Sequence, residues 1–216
     1  MLYLDVPFLD KEEAKILGAE WDQSRRKWYV QERDEYHNFS RWIPNLNQSE
    51  MAIVLSGGFF IAVGQQECAY CGKTADVISF GLDNYYEFYN KENDYDTGYP
   101  EPVYWDDAIH FADSIGPLPI EAFKFISNIN RNFKYSRLGF FDYKSNHCNQ
   151  CGKHQNINGI NSPFIIDSVQ KASNLKLYHA MPKEDLVVSC SYLWGSHDYL
   201  VNDYAKIIEL DPEWRL

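Results

Sequence analysis

At 216 residues, with 45% apolar and 16% aromatic side chains, the chain has enough hydrophobic material for one domain or two small ones, which excludes disordered and fibrous classes. Its 20 Lys and Arg against 31 Asp and Glu leave a net charge of −11. That excess repels phosphate backbones and acidic membranes, so general nucleic-acid binding is disfavoured, while a soluble surface or a basic protein partner is compatible. No apolar run approaches the roughly 18 residues of a membrane helix. The opening MLYLDVPFLDKEEAKIL is broken by Asp5, Asp10 and Lys11 and reads as neither signal peptide nor anchor, so a cytoplasmic protein is expected.

Residues 1–46 read as a small β-α-β-β-α module. Leu2, Leu4 and Val6 alternate with Tyr3 and Asp5 as a short strand closed by Pro7. Asp10 stands three residues before Glu13, the spacing of a capping box, and the helix it opens stops at Gly18. Trp21 and Lys27–Val30 flank the polar turn 22–26 as a hairpin, and Tyr36, Phe39 and Trp42 then recur at helical spacing up to Pro44. The segment carries seven bases and nine acids. Its cluster Arg25, Arg26 and Lys27, beside Trp21, Trp28 and Tyr29, is the best nucleic-acid candidate, because cations beside aromatic rings can contact phosphates while the rings stack on bases. A solvated hairpin turn is the plainer account of the same residues.

The runs LDVPF, EEAKILGAEWD, RRKWYV and RWIP resemble a small bacterial domain of unknown function, often appended to plasmid-type primases and other DNA-processing proteins. The resemblance covers about the first fifth of the chain and centres on Leu17–Asp22; Gln31 stands where that pattern has a proline. It implies an accessory module that touches nucleic acid or protein, and no enzyme activity.

Asn45–Glu50 is polar and marks a linker, after which residues 51–216 are expected to form a larger antiparallel-sheet-and-helix domain, making the whole α+β. Met51–Leu55 and Phe59–Val63, separated by Ser56-Gly57-Gly58, read as a hairpin, and Val77–Phe80 as a further strand. Residues 83–107 set eight acids against Lys91 among several tyrosines, and Pro100 and Pro102 make much of the stretch a loop. Acids with aromatic anchors suit a surface that clamps a basic partner, so Tyr85, Tyr86, Asp94 and Asp96 are candidate contacts. An immunity-type protein that neutralises a basic toxin would look this way, and so would a solvated acidic loop. Ala122, Phe123, Ile126, Ile129 and Phe133 form a helical stripe; Pro163–Ile166, Leu186–Cys190 and Ile207–Leu210 read as strands.

Two copies of one pattern carry the chemistry: Cys68-Ala-Tyr-Cys71-Gly-Lys and Cys148-Asn-Gln-Cys151-Gly-Lys. Two intervening residues let a tight turn aim two thiolates at one cation, and the glycine lets the backbone bend behind them. Together, Cys68, Cys71, Cys148 and Cys151 predict one structural Zn²⁺ in a split, zinc-ribbon-like site. The gap of 76 residues between the pairs exceeds the usual 15–20 or so. The extra loop costs only about 1.3 kcal/mol in closure entropy, against an apparent ~10–16 kcal/mol for structural zinc. An iron–sulfur cluster also takes four cysteines, whereas a disulfide pair is disfavoured in a cytoplasmic protein. His147 and His154 flank the second pair as surface or neighbouring groups, and Cys190 sits in an apolar strand as a small hydrophobe.

Four thiolates leave no open position for substrate, and the chain lacks phosphate-loop, dinucleotide, Gly-x-Ser-x-Gly and His-Glu-x-x-His motifs. His197, next to Asp198, could approach Cys190, but one segment rarely builds a thiol–His site. A non-catalytic zinc-binding module is therefore expected, with an acidic inhibitor or an accessory nucleic-acid-processing factor as alternatives.

Overall fold

The computed structural model describes residues 1–44, 46, 51–89, 102–106, 108–138, 141–159, 161–190, 193–195 and 198–210. Of the linker Asn45–Glu50 only Leu46 is among them, and Asp94, Asp96 and His197 lie outside. The fold is α+β. In chain order it runs through β1 (Leu2–Leu4), α1 (Lys11–Ile16), β2 (Glu20–Asp22), β3 (Lys27–Val30), a 3-10 helix (Arg33–Trp42), β4 (Met51–Leu55), β5 (Phe59–Glu67), β6 (Thr74–Leu82), β7 (Tyr85–Tyr89) and β8 (Val103–Trp105). It continues through β9 (His110–Ala112), β10 (Ile115–Gly116), α2 (Ile120–Ile129), β11 (Lys134–Leu138), β12 (Phe141–Ser145), α3 (Val169–Ser173), β13 (Lys176–Ala180), β14 (Leu186–Cys190), β15 (Leu193–Gly195), α4 (Asp198–Tyr204) and β16 (Lys206–Glu209). Among the described residues no helix is long and apolar enough to cross a membrane.

Contacts divide the chain into two compact units. The first comprises residues 1–57, 84–105 and 182–189, so three later strands group with the N-terminal segment rather than with the region that follows it. Here β1, β3 and β2 form an antiparallel sheet in that spatial order, while β14, β4, β7 and β8 are neighbours in a second sheet. The reason is hydrophobic: Leu2, Leu4, Val30, Tyr36, Phe39 and Trp42 are buried in one cluster with Ala52, Val54 and Phe88. The core of the first 44 residues is thus closed by side chains beyond them, chiefly from β4 and β7 with Leu46 and Val187.

The expected order of strand, helix, two strands and helix is present in residues 1–42, with 3-10 geometry in the last element. The capping box is not formed. Asp10 makes no cap bond; its carboxylate accepts from Trp42 Nε1 at 3.0 Å, and Arg41 bridges Asp10 and Glu13 at 3.3 and 2.6 Å. A cation between the two carboxylates outcompetes the exposed helix amides.

The second unit holds residues 58–83, 106–181 and 190–216, built on a six-stranded sheet in the order β15-β9-β6-β5-β13-β16. Strands β5 and β6 form a long hairpin whose tip is the loop between Glu67 and Thr74. Phe60, Ala62, Val77, Phe111 and Leu177 bury one face of the sheet against Phe164, Ile166, Ala172 and Val201.

Met51–Leu55 and Phe59–Val63 are both strands, but they do not pair as a hairpin: β4 pairs with β7 and β14, and β5 with β6 and β13. Gly57 and Gly58, at φ +121° and +127°, carry the chain from one sheet to another. A Cβ on Gly58 would stand 2.5 Å from the Ala180 carbonyl oxygen, so the glycine also admits β13. The stretch 83–107 is less loop than expected, because β7 and β8 occupy its two ends. Pro163–Ile166 is a turn that still buries Phe164 and Ile166, and the helical stripe ends at Ile129, with Phe133 beyond it.

Candidate metal centre

The first cysteine pair sits at the tip of the β5–β6 hairpin, and the second follows β12. Each pair closes the same turn. The Gly72 N–H donates to the Cys68 carbonyl at 2.8 Å and the Cys68 N–H to the Lys73 carbonyl at 3.0 Å; the counterparts at Gly152–Cys148 and Cys148–Lys153 are 2.9 and 2.8 Å. Gly72 and Gly152 adopt φ +67° and +70°, the left-handed bend that the glycine after each second cysteine supplies. The repeated motif is therefore a repeated backbone shape.

The four sulfurs lie within 4.8 Å of one another and could hold a metal ion. Cys68 Sγ is 3.7 Å from Cys151 Sγ, and Cys71 Sγ is 3.7 Å from Cys148 Sγ, so each close approach joins one turn to the other. Cys68 and Cys148 are buried and Cys71 and Cys151 exposed, which repeats the symmetry of the turns. Backbone N–H groups of Cys151 and then Gln150 stabilise the Cys148 thiolate and bring its pKa down to about 6. At Cys71 the Lys73 N–H acts to lower the pKa, but desolvation and the bonds to Cys148, Cys151 and Cys68 outweigh it and raise it to about 12. Four adjacent sulfurs do not all ionise without a counter-charge at their centre.

Three asparagines fix the second turn against the first hairpin. Asn146, buried, accepts from the Ile78 N–H and donates to the Ile78 carbonyl, both at 2.7 Å, pairing with β6 as an extra strand would. Asn130 donates to the Asp76 carbonyl at 2.9 Å, and Asn132 donates to the Cys148 carbonyl at 3.2 Å. None was singled out from the sequence, because an isolated asparagine near a turn has no signature of long-range pairing.

His147 and His154 stand outside the sulfur set; their rings meet edge to face at 5.7 Å, and burial followed by the neighbouring His147 lowers the pKa of His154. Cys190 is half-buried at the end of β14 and is not one of the clustered cysteines.

The candidate partner contacts fare differently. Tyr85 is only 1% exposed and belongs to the core, so it presents no surface to a partner. It stacks on Trp105 with ring centroids 6.4 Å apart, on a strand covered on both faces. Tyr86 is half-buried, with ring centroids 4.6 Å from Tyr104 and 5.9 Å from Tyr36. Arg25 ion-pairs with Glu184 and lies 4.8 Å over the Tyr3 ring, and Lys27 reaches Asp5 at 3.3 Å. Arg26, at φ +54°, is exposed at the tip of the turn.

Residues 1–44 match DUF5710, a domain of unknown function. This is the kind of small domain that the Leu17–Asp22 pattern resembles. Two Escherichia coli proteins named DNA primase TraC are 48% and 42% identical to the chain over 40 residues. Those 40 residues are 18% of this chain and only 4% and 3% of the primases, so the likeness is to a small piece of each. The DUF5710 match leaves the cysteine cluster outside its bounds. No solved structure matches the chain.

Proposed function

We propose that Cys68, Cys71, Cys148 and Cys151 hold one structural Zn²⁺ and that the chain is a non-catalytic binding or regulatory protein. The observation that carries this reading is the pair of 3.7 Å sulfur–sulfur contacts between the two turns. A tetrahedron with Zn–S near 2.3 Å has edges of about 3.75 Å. Sulfurs all within 4.8 Å leave room for a single ion and none for a multi-iron cluster. Four protein ligands complete the tetrahedron, which supports a structural role over a catalytic one.

Elemental analysis of the purified protein tests the reading, together with Cys148→Ser. One equivalent of zinc in the wild type, lost in the variant along with stability, is the expected outcome. Absence of stoichiometric metal, or a variant that folds unchanged, would overturn it; stoichiometric iron would replace the ion and keep the clasp.

The DUF5710 segment and the primase similarity support a second reading, an accessory role in nucleic-acid processing. The acidic-inhibitor alternative has less behind it, since Tyr85 is a core residue.

A further inference from the structure

The N-terminal three-stranded sheet carries a feature that the zinc clasp does not use. Leu4, Trp28 and Trp21 are cross-strand neighbours, because Leu4 pairs with Trp28 and Trp21 pairs with Trp28. Leu4 is buried, Trp28 half-buried and Trp21 45% exposed, so the apolar face of the sheet runs outward from the core and opens to solvent. The two indoles meet edge to face at 5.4 Å. Phe8, 77% exposed, forms the other wall of a groove of about 470 Å³, with Lys11, Arg26 and Lys27 around it.

Charge in the groove is opposite to that of the chain. Asp5 is the one acid among the lining residues and is paired with Lys27, which leaves Lys11 and Arg26 unneutralised there. Lys11 stands 4.2 Å over the Phe8 ring. Three of the neighbouring carboxylates have partners of their own: Glu13 in Arg41, Glu20 in the Tyr29 hydroxyl, and Asp22 in Tyr3 and Ser24. Arg25 is held by Glu184, so the cations that face the groove are not the three consecutive ones of the sequence motif.

We infer that this groove binds a short segment of single-stranded nucleic acid, its bases against Trp21, Trp28 and Phe8 and its phosphates against Lys11 and Arg26. Aromatic faces with interleaved cations suit a flexible strand, whose bases are free to stack. An acidic peptide without aromatic residues would satisfy the cations but leave the exposed rings without flat partners. The net charge of −11 opposes a long polyanion, so the bound segment is short and its affinity strongly salt-dependent. This deepens the nucleic-acid-processing reading by assigning it a surface.

Fluorescence anisotropy of a labelled oligothymidylate with the full 216-residue chain, titrated between about 50 and 200 mM salt, tests it. Two phosphate contacts predict a slope of about −1.4 for log affinity against log salt. Trp21→Ala is expected to weaken binding by roughly 5- to 150-fold, the range of one base–aromatic stack. Arg26→Asn keeps a residue that tolerates positive φ, and is expected to reduce the slope by about 0.7 without changing the thermal melt. Oligouridylate is expected to bind comparably, since stacking and charge do not read the sugar.

Strand binding unchanged in both variants would overturn the groove while leaving the nucleic-acid-processing reading standing. No binding of either strand at the lowest salt would defeat both. Displacement of the strand by a Glu–Tyr-rich peptide of higher affinity would reassign the groove to protein.

Discussion

Arg33 meets the carboxylate of Asp185 through two parallel bonds, Nε to Oδ2 at 3.0 Å and Nη2 to Oδ1 at 2.9 Å, across 152 positions of sequence. The Tyr36 hydroxyl donates to the same carboxylate at 2.6 Å, the terminal ammonium stands 3.8 Å away, and the Asp185 N–H donates to the Met1 carbonyl at 2.9 Å. One buried acid thereby fastens residues 182–189 to the N-terminal segment. Asp185→Ala leaves a guanidinium and a buried phenol without their acceptor. A loss of about 2–4 kcal/mol in urea unfolding is expected, moderated because Arg33 is itself half-exposed.

Tyr36 gives that network a pH signature. Burial first, and then the bond to Asp185, raise its pKa well above the ordinary value of 10.0. Above about pH 10 the unfolded chain releases the phenolic proton while the native chain retains it, so stability falls as pH rises through that window. Tyr3, raised to about 12 mainly by its bond to Asp22, adds in the same direction. Tyr36→Phe is expected to flatten the decline between pH 9 and 11 in denaturant melts, at the expense of lower stability at pH 7.

The two glycines after the cysteine pairs supply a test of turn geometry alone. No atom lies within 4 Å of a Cβ built on Gly152, so Gly152→Ala meets only the cost of its φ of +70°. A loss of about 1–2 kcal/mol is expected, with weaker metal retention in a chelator competition. Gly58→Ala should do more damage, because its Cβ would collide with the Ala180 carbonyl as well as sit at positive φ. Paired thermal melts of the two variants check that order.

Asn146→Ala removes both side-chain bonds to Ile78 and leaves a buried backbone donor and acceptor unpaired. At about 1–3 kcal/mol for each such group, the loss should rival that of a core truncation. Metal should also exchange faster, since the second turn loses its tie to the strand that follows the first; a colorimetric chelator reads this directly. Acidification should release the metal in wild type and variant alike, because protons compete for the thiolates, and at higher pH in the variant.

The cysteine cluster was legible because its determinants are local and repeated: two spacings and two glycines, each dictating the same turn. The order of elements in residues 1–42 was legible for the same reason. The Gly57–Gly58 pair misled, since a glycine pair between two apolar runs fits a hairpin and a crossing between sheets equally well, and the distant partners of β4, in β7 and β14, decide which. Tyr85 was misplaced because acids and tyrosines dominate its neighbourhood, whereas β7 is buried on both faces, with Tyr85, Glu87 and Phe88 all covered. Asn146 and Asp185 were invisible: each acts on a residue at least 68 positions distant, and nothing in their own surroundings records it.

The placement of the cysteines at 68–71 and 148–151 would also make a bound ion a cross-link. With the metal bound, the 76 intervening residues form a closed ring, and a single protease cut inside it opens the backbone without parting the two pieces. Strand pairing of β5 with β13 and the shared core also join the two pieces, so a chelator is expected to lower the denaturant concentration at which a nicked protein separates. Such a clasp would set how much damage the chain survives as well as how it is held together.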